Sequence, residues 1–157
     1  MGNVFVISDL HFGHRNMAIR RGFESVEDHD SHIITSWNEV VRKGDVVWIL
    51  GDLTMEKASN YNLLDKLRGY KKVVLGNHDR PNHIPRLLNH VNSVCGMYQY
   101  KDVIFTHCPI HVSQLSRFRA NFHGHVHLES LDDNRYINIS AEVIDFKPQK
   151  VSDYLQF

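Results

Sequence analysis

Cysteine is scarce in this chain. Only Cys95 and Cys108 are present, too few for the disulfide framework that staples small secreted domains. At 157 residues the chain is long enough to bury a core without such staples. Long apolar runs are also missing: no stretch approaches the ~20 residues that a membrane-crossing helix needs. The sequence opens on a strand-like segment with neither a charged leader nor an extended apolar region, so no signal peptide and no membrane partner are expected, and the cytoplasm is the expected compartment. Net charge is absent too. Lys plus Arg and Asp plus Glu both count 18, which argues against a protein that wraps long nucleic acid, whose footprint is basic. Local basic groups at Arg15, Arg20 and Arg21 and at Arg117 and Arg119 read by default as solvated surface. No repeat, linker or low-complexity stretch divides the chain, so one domain over residues 1–157 is expected.

Histidine is the residue in excess, with 12 copies. Their placement follows a pattern. Val4-Phe5-Val6-Ile7 leads into Asp9-Leu10-His11, and Val46-Val47-Trp48-Ile49-Leu50 leads into Gly51-Asp52. Val73-Val74-Leu75 leads into Gly76-Asn77-His78-Asp79, and Val103-Ile104-Phe105 leads into Thr106-His107. Short β-rich runs backed by turn residues read as buried strands. In α/β sheets ligands collect beyond the carboxyl ends of strands. A further segment, Gly124-His125-Val126-His127, offers two histidines on one face if it is extended, since alternate residues of a strand point the same way. Strands lying side by side would bring Asp9, His11, Asp52, Asn77, His107, His125 and His127 to one sheet edge, enough oxygen and nitrogen donors for two metal ions. Cys108, beside His107, is read as a small hydrophobe past a buried strand rather than a nucleophile.

Between the motifs, residues 26–42 carry the clearest helical stripe, through Val26, Ile33, Ile34, Trp37, Val40 and Val41, with Ser25 and Asp28 spaced as a capping box. Asp30 falls within the stripe and is ascribed to a frayed first turn, without a catalytic part. His29 and His32 fall off it and are expected in solvent. A second helix is predicted over 60–68, stopped by Gly69, and a shorter one over 82–90, where Pro85 fits only a first turn. Strand, helix, strand, helix, strand describes parallel βαβ units. From about residue 94 onward strands dominate, over 97–105, 120–125 and 136–139. His123 is expected to pack, and His83, His90 and His111 to lie at the surface.

Asp9-x-His11, Gly51-Asp52, Gly76-Asn77-His78-Asp79, His107 and Gly124-His125-x-His127 resemble, in order, the five signature motifs of the calcineurin-like metallophosphoesterases. His11-Phe12-Gly13-His14 and the tail from Ile137-Asn138-Ile139-Ser140 to Phe146-Lys147-Pro148 are similar to small bacterial and phage members. The resemblance implies a four-layer α/β/β/α sandwich of two mixed sheets with flanking helices, built around a dinuclear metal centre. It implies that Asp9, His11 and His127 hold one ion, that Asn77, His107 and His125 hold the other, and that Asp52 bridges both.

Carboxylate, amide and imidazole donors suit Mn, the expected metal, and also Fe, Zn or Ni, with no thiolate among the expected ligands. Two ions can share a bridging hydroxide that attacks phosphorus in line. His78 would protonate the leaving oxygen, with Asp79 to orient it. His14 either touches a substrate phosphate or makes a structural bond in the Gly13 turn. One of Arg117 and Arg119, on the loop 111–121, is expected to grip a substrate phosphate together with His14. The substrate is expected to be a small or nucleotide-like phosphodiester, since a bridging hydroxide with a general acid suits an alkoxide leaving group. A phosphomonoesterase or protein phosphatase, a nuclease subunit, and a non-catalytic scaffold on the same fold are the alternatives.

Overall fold

The computed structural model describes residues 2–55 and 57–155. Strand β1 (Val4–Ile7) is followed by helices α1 (Arg15–Arg20) and α2 (Val26–Val40), and then by strand β2 (Val46–Ile49). A 3-10 helix (Ala58–Lys66) leads to β3 (Tyr70–Val74), and a short turn plus α3 (Ile84–Leu87) to β4 (Ser93–Cys95). The second half supplies β5 (Tyr98–Tyr100), β6 (Val103–Phe105), β7 (Ala120–His123), β8 (Tyr136–Asn138), β9 (Gln149–Lys150) and α4 (Val151–Tyr154).

The strands form two mixed sheets with flanking helices. One runs β4-β3-β2-β1-β9, parallel except for β9; the other runs β5-β6-β7-β8, parallel except for β5. Period-2 alternation sorts the side chains. Phe5, Ile7, Val47, Ile49 and Val73 face α2 and the 3-10 helix, where Ile33, Trp37, Tyr61 and Leu64 cover them. Val6, Trp48, Leu50 and Val74 face the second sheet, where they meet Val103, Phe105, Ala120 and Phe122. The strands are thus buried on both faces, which is why they read as unbroken apolar runs. Among the described residues no helix is long and apolar enough to cross a membrane.

Helix α2 starts as the capping spacing predicts, with the Ser25 hydroxyl accepting the Asp28 N–H at 3.0 Å. It stops at Val40 because Val41 turns extended, though Val41 stays fully buried. Residues 60–68 are helical but wound as a 3-10 helix that begins at Ala58. Two of the expectations on α2 fail together. Asp30 lies in regular helix, 8% exposed, and accepts the Gly13 N–H through both oxygens at 3.0 and 3.2 Å. His29 is fully buried against Phe23 and Phe146 and bonds Asp30 at 2.8 Å. The apolar stripe is wider than its aliphatic members, since α2 also packs against the loop that follows β1.

A candidate metal centre at the carboxyl ends of both sheets

Register fixes the site. β1 and β2 pair from Val4↔Val46 through Ile7↔Ile49, so the two chains leave the sheet together, and the Asp9 N–H donates to Gly51 O and the His11 N–H to Asp52 O. In the second sheet the Gly124 N–H donates to His107 O, and a bridge between Ser8 and Ser140 joins the ends of the two sheets. All seven candidate ligands therefore meet at one end of the molecule.

They form two groups around Asp52. His11 Nε2 lies 3.6 Å from Asp9 Oδ1 and 3.8 Å from Asp52 Oδ2, and His127 Nε2 lies 3.9 Å from Asp9 Oδ1. On the other side His107 Nε2 lies 3.3 Å from Asp52 Oδ2 and 2.9 Å from Asn77 Oδ1, which is 3.0 Å from His125 Nδ1. Asp9 Oδ1 and both ring nitrogens of His11 are buried without a hydrogen-bond partner. Buried polar atoms are almost always paired, so a cation between these groups is what the donor set lacks.

The electrostatics agree. Burial alone would raise the Asp9 carboxyl, but His11 and His107 hold it well below the usual carboxylate range. Asp52 is lowered in the same way, burial being outweighed by His107. Burial would lower His107, yet Asp52 pulls it up to about 9. Carboxylates kept ionised at a buried site, and an imidazole drawn toward protonation, mark a place that favours positive charge.

Backbone conformation singles out the same residues. Asp9, His11, Asp52, His125 and His127 all have positive φ, between 50° and 71°, a region that side chains other than those of Gly, Asn and Asp seldom occupy. His125 and His127 converge because of these turns and not through strand alternation: β7 ends at His123, and both lie in the loop beyond it. Two glycines allow the close approach. A Cβ on Gly124 would meet Asp9 Oδ2 at 2.1 Å, and one on Gly76 would meet Asp52 Oδ1 at 2.3 Å.

His78 is half-buried with its ring centroid 6.0 Å from that of His11, and its backbone N–H donates to Asp52 Oδ1. Asp79 works on the backbone rather than on that ring. Its carboxylate accepts the N–H groups of Gly76, Asp52 and Leu53 at 2.7, 2.8 and 3.1 Å, and burial pushes it up to about 6 despite them. His14 sits at the N-cap position of α1 without a side-chain capping bond, its ring 5.8 Å from that of His11, so it borders the site.

Arg119 is not brought to the site. Parallel pairing of β6 with β7 obliges the chain between them to return to the opposite end of the sheet, and Arg119, just before β7, pairs there with Asp102 and donates to Leu155 O. Arg117, at the end of the 3-10 turn Val112–Ser116, precedes it on the same exposed return. Arg20 and Arg21, by contrast, line a cleft of about 670 Å³ with the candidate ligands His125 and His127 and with Met17 and Leu128.

Arg21 was expected on the surface, but its side chain is only 3% exposed. It donates to the carbonyls of Asp9 and Leu10 and forms a 2.5 Å ion pair with Glu142 Oε2. Glu142 Oε1 in turn bonds His127 Nδ1 at 2.5 Å. This bond raises the His127 imidazole and leaves Nε2 facing Asp9. Carboxylates of this kind orient metal-binding histidines. The sequence carries no signal for it, since Arg21 and Glu142 lie far apart in the chain and in no common motif. Cys108 also departs from expectation: it is exposed and grouped with His107 and His125. His123 is buried, bonds Gly124 O and meets the Tyr136 ring edge-to-face, a packing role.

Comparison with known proteins agrees with this geometry. An uncharacterized protein of Methanocaldococcus jannaschii is 33% identical over 94% of this chain and 86% of its own length. The gene 66 protein of Mycobacterium phage L5 is 35% identical over 79% of this chain, a match that spans 58% of the phage protein. Among solved structures, a protein of unknown function from Aquifex aeolicus superposes with a TM-score of 0.78 at 22% identity, covering 98% of both chains. An archaeal protein described as a novel phosphodiesterase superposes with a TM-score of 0.52 at 16% identity, over 88% of this chain and 82% of its own. The family model for calcineurin-like phosphoesterases matches residues 2–155. The chain, with its cluster of aspartate and histidine side chains at the ends of two sheets, belongs to the calcineurin-like phosphoesterase family.

Proposed function

We propose that this protein is a dinuclear metal-dependent phosphodiesterase acting on a small or nucleotide-like substrate. The observation that carries this reading is the division of seven donors into two groups with Asp52 between them. Asp9, His11 and His127 would hold one divalent ion and Asn77, His107 and His125 the other, with Asp52 shared. Oxygen and imidazole donors of this kind suit manganese, with iron, zinc and nickel also accepted. Such a pair of ions, when bound, neutralises phosphoryl oxygens and makes water nucleophilic at neutral pH.

The chain's own groups supply the rest. His78, whose backbone is tied to Asp52, stands beside the ligands and donates a proton to the departing alkoxide oxygen. Asp79 holds the two ligand loops at fixed separation through its three backbone bonds. His14 contacts a phosphoryl oxygen from the α1 side, and the cleft lined by Met17, Arg20 and Leu128 receives the organic group. A general acid beside the ligands suits an ester whose leaving group is a poor alkoxide, as in an unactivated diester. The archaeal phosphodiesterase that shares the fold agrees with it.

The test is a set of diesters with graded leaving groups, turned over by metal-loaded protein. His78→Ala should keep its metals and lose roughly 10²–10⁴-fold in rate with poor alkoxide leaving groups. The loss should shrink with nitrophenolate, which departs without a proton. An equal loss on both would remove His78 as the acid. Turnover of monoesters alone would replace the diester reading by a phosphatase.

A further inference from the structure

We propose that the Cys108 thiolate is an additional ligand of the ion held by Asn77, His107 and His125, which makes the two halves of the centre chemically different. The inference rests on the dinuclear reading above and goes beyond it, since oxygen and nitrogen donors alone made up the expected set.

One ligand atom from each of His107, Cys108 and His125 lies within 4.8 Å of the other two. His107 also belongs to a second such group with Asp9 and Asp52. In that second group Asp9 Oδ1 is fully buried and without a hydrogen-bond partner. The thiol therefore stands beside two imidazoles, one of which, His107, also borders the two buried carboxylates. Zinc bonds of about 2.3 Å to sulfur and about 2.0 Å to nitrogen put the two atoms no more than about 4.3 Å apart, whatever the coordination number. Closing from within 4.8 Å to that limit or below is an adjustment of about an ångström or less, open to an exposed side chain.

The two cysteines are not equivalent. Cys95 Sγ contacts the Val73 carbonyl at 3.7 Å within the first sheet, whereas Cys108 is exposed beside two imidazoles. Its position also follows from the chain. His107 Nδ1 is fixed on Leu50 O at 2.7 Å, which aims Nε2 at Asp52, and the Thr106 hydroxyl holds the Cys108 carbonyl at 2.6 Å.

Ligation is balanced simply. The thiol gives its proton to solvent as the sulfur–metal bond forms, and displaces water from the ion. Thiolate shifts a site toward softer ions. The Asp9, His11 and His127 position keeps hard and borderline donors, so it remains suited to manganese. The Cys108 side is expected to prefer zinc, cobalt or iron(II), and mixed occupancy becomes the favoured state.

Cobalt(II) titration of the full chain tests this without reference to turnover. Wild-type protein and Cys95→Ser should develop a thiolate-to-cobalt charge-transfer band in the near ultraviolet as the second ion binds. Cys108→Ser and Cys108→Ala should lose that band while still binding two cobalt ions with visible d–d absorption. Chelator competition should show the zinc-over-manganese preference of the softer position falling about tenfold or more in Cys108→Ser. In Cys95→Ser, zinc loading should slow alkylation of Cys108 about tenfold or more. A wild-type protein that binds two cobalt ions without the band, or a band that survives in Cys108→Ser, overturns the thiolate ligand and leaves the dinuclear reading standing. Binding of fewer than two ions by wild type overturns both.

Discussion

At the scale of single residues, the side chains behind the ligands carry as much of the argument as the ligands. Glu142 meets His127 on one oxygen and Arg21 on the other. Burial would raise its carboxyl, but these two partners hold it below the usual range. Glu142→Gln keeps the shape and one acceptor but loses the charge, while Arg21 keeps its bonds to the Asp9 and Leu10 carbonyls. We expect affinity for the ion nearest His127 to fall by about 10–100-fold. The ion at Asn77, His107 and His125 should be unaffected. Chelator competition resolving two binding steps checks this, and equal weakening of both steps would mean that Glu142 merely props up the fold.

At the scale of elements, the turn between α2 and β2 is held by one carboxylate. Asp45 accepts the Asn3 N–H at 2.8 Å and the Arg42 N–H at 2.7 Å. Burial would raise its carboxyl, but these bonds lower it. Its stabilising contribution is therefore present above the unfolded value of about 3.9 and is lost as pH falls through the lower folded value. Asp45→Ala should cost about 1–2 kcal/mol at neutral pH, since it removes the acceptor of two part-buried backbone donors. Denaturant melts should show the gap to wild type closing below about pH 4. Elements were the most legible level in the sequence, because strands buried on both faces print themselves as apolar runs and each run ends on its ligand. The site was legible through those ends. What lay hidden was fixed by long-range pairing. His29 looked polar until Phe146 covered it, Arg21 looked exposed until Glu142 met it, and Arg119 looked close to His125 until β7 was placed between them.

At the scale of the whole molecule, the site is a seam. Asp9, His11, Asp52 and Asn77 follow strands of the first sheet, while His107, His125 and His127 follow strands of the second. An ion held across that seam joins the sheets, so binding should appear as heat stability. A free-ion level a thousandfold above Kd adds about 4 kcal/mol, on the order of 10 °C in Tm for a chain of this size. Thermal melts with metal and with chelator should differ by that amount, and Asp52→Ala should abolish the difference. A chelator that strips the ions yet leaves Tm unchanged would show that the seam holds without them. The positive φ angles of Asp9, His11, Asp52, His125 and His127 carry one more consequence, for how such a molecule can change over generations. Glycine would relax the backbone at each of these points at once. Stability and chemistry therefore pull in opposite directions at the same five codons. Selection for heat resistance in metal-poor medium is expected to erase the centre first, leaving an intact sandwich with glycines where its ligands had been.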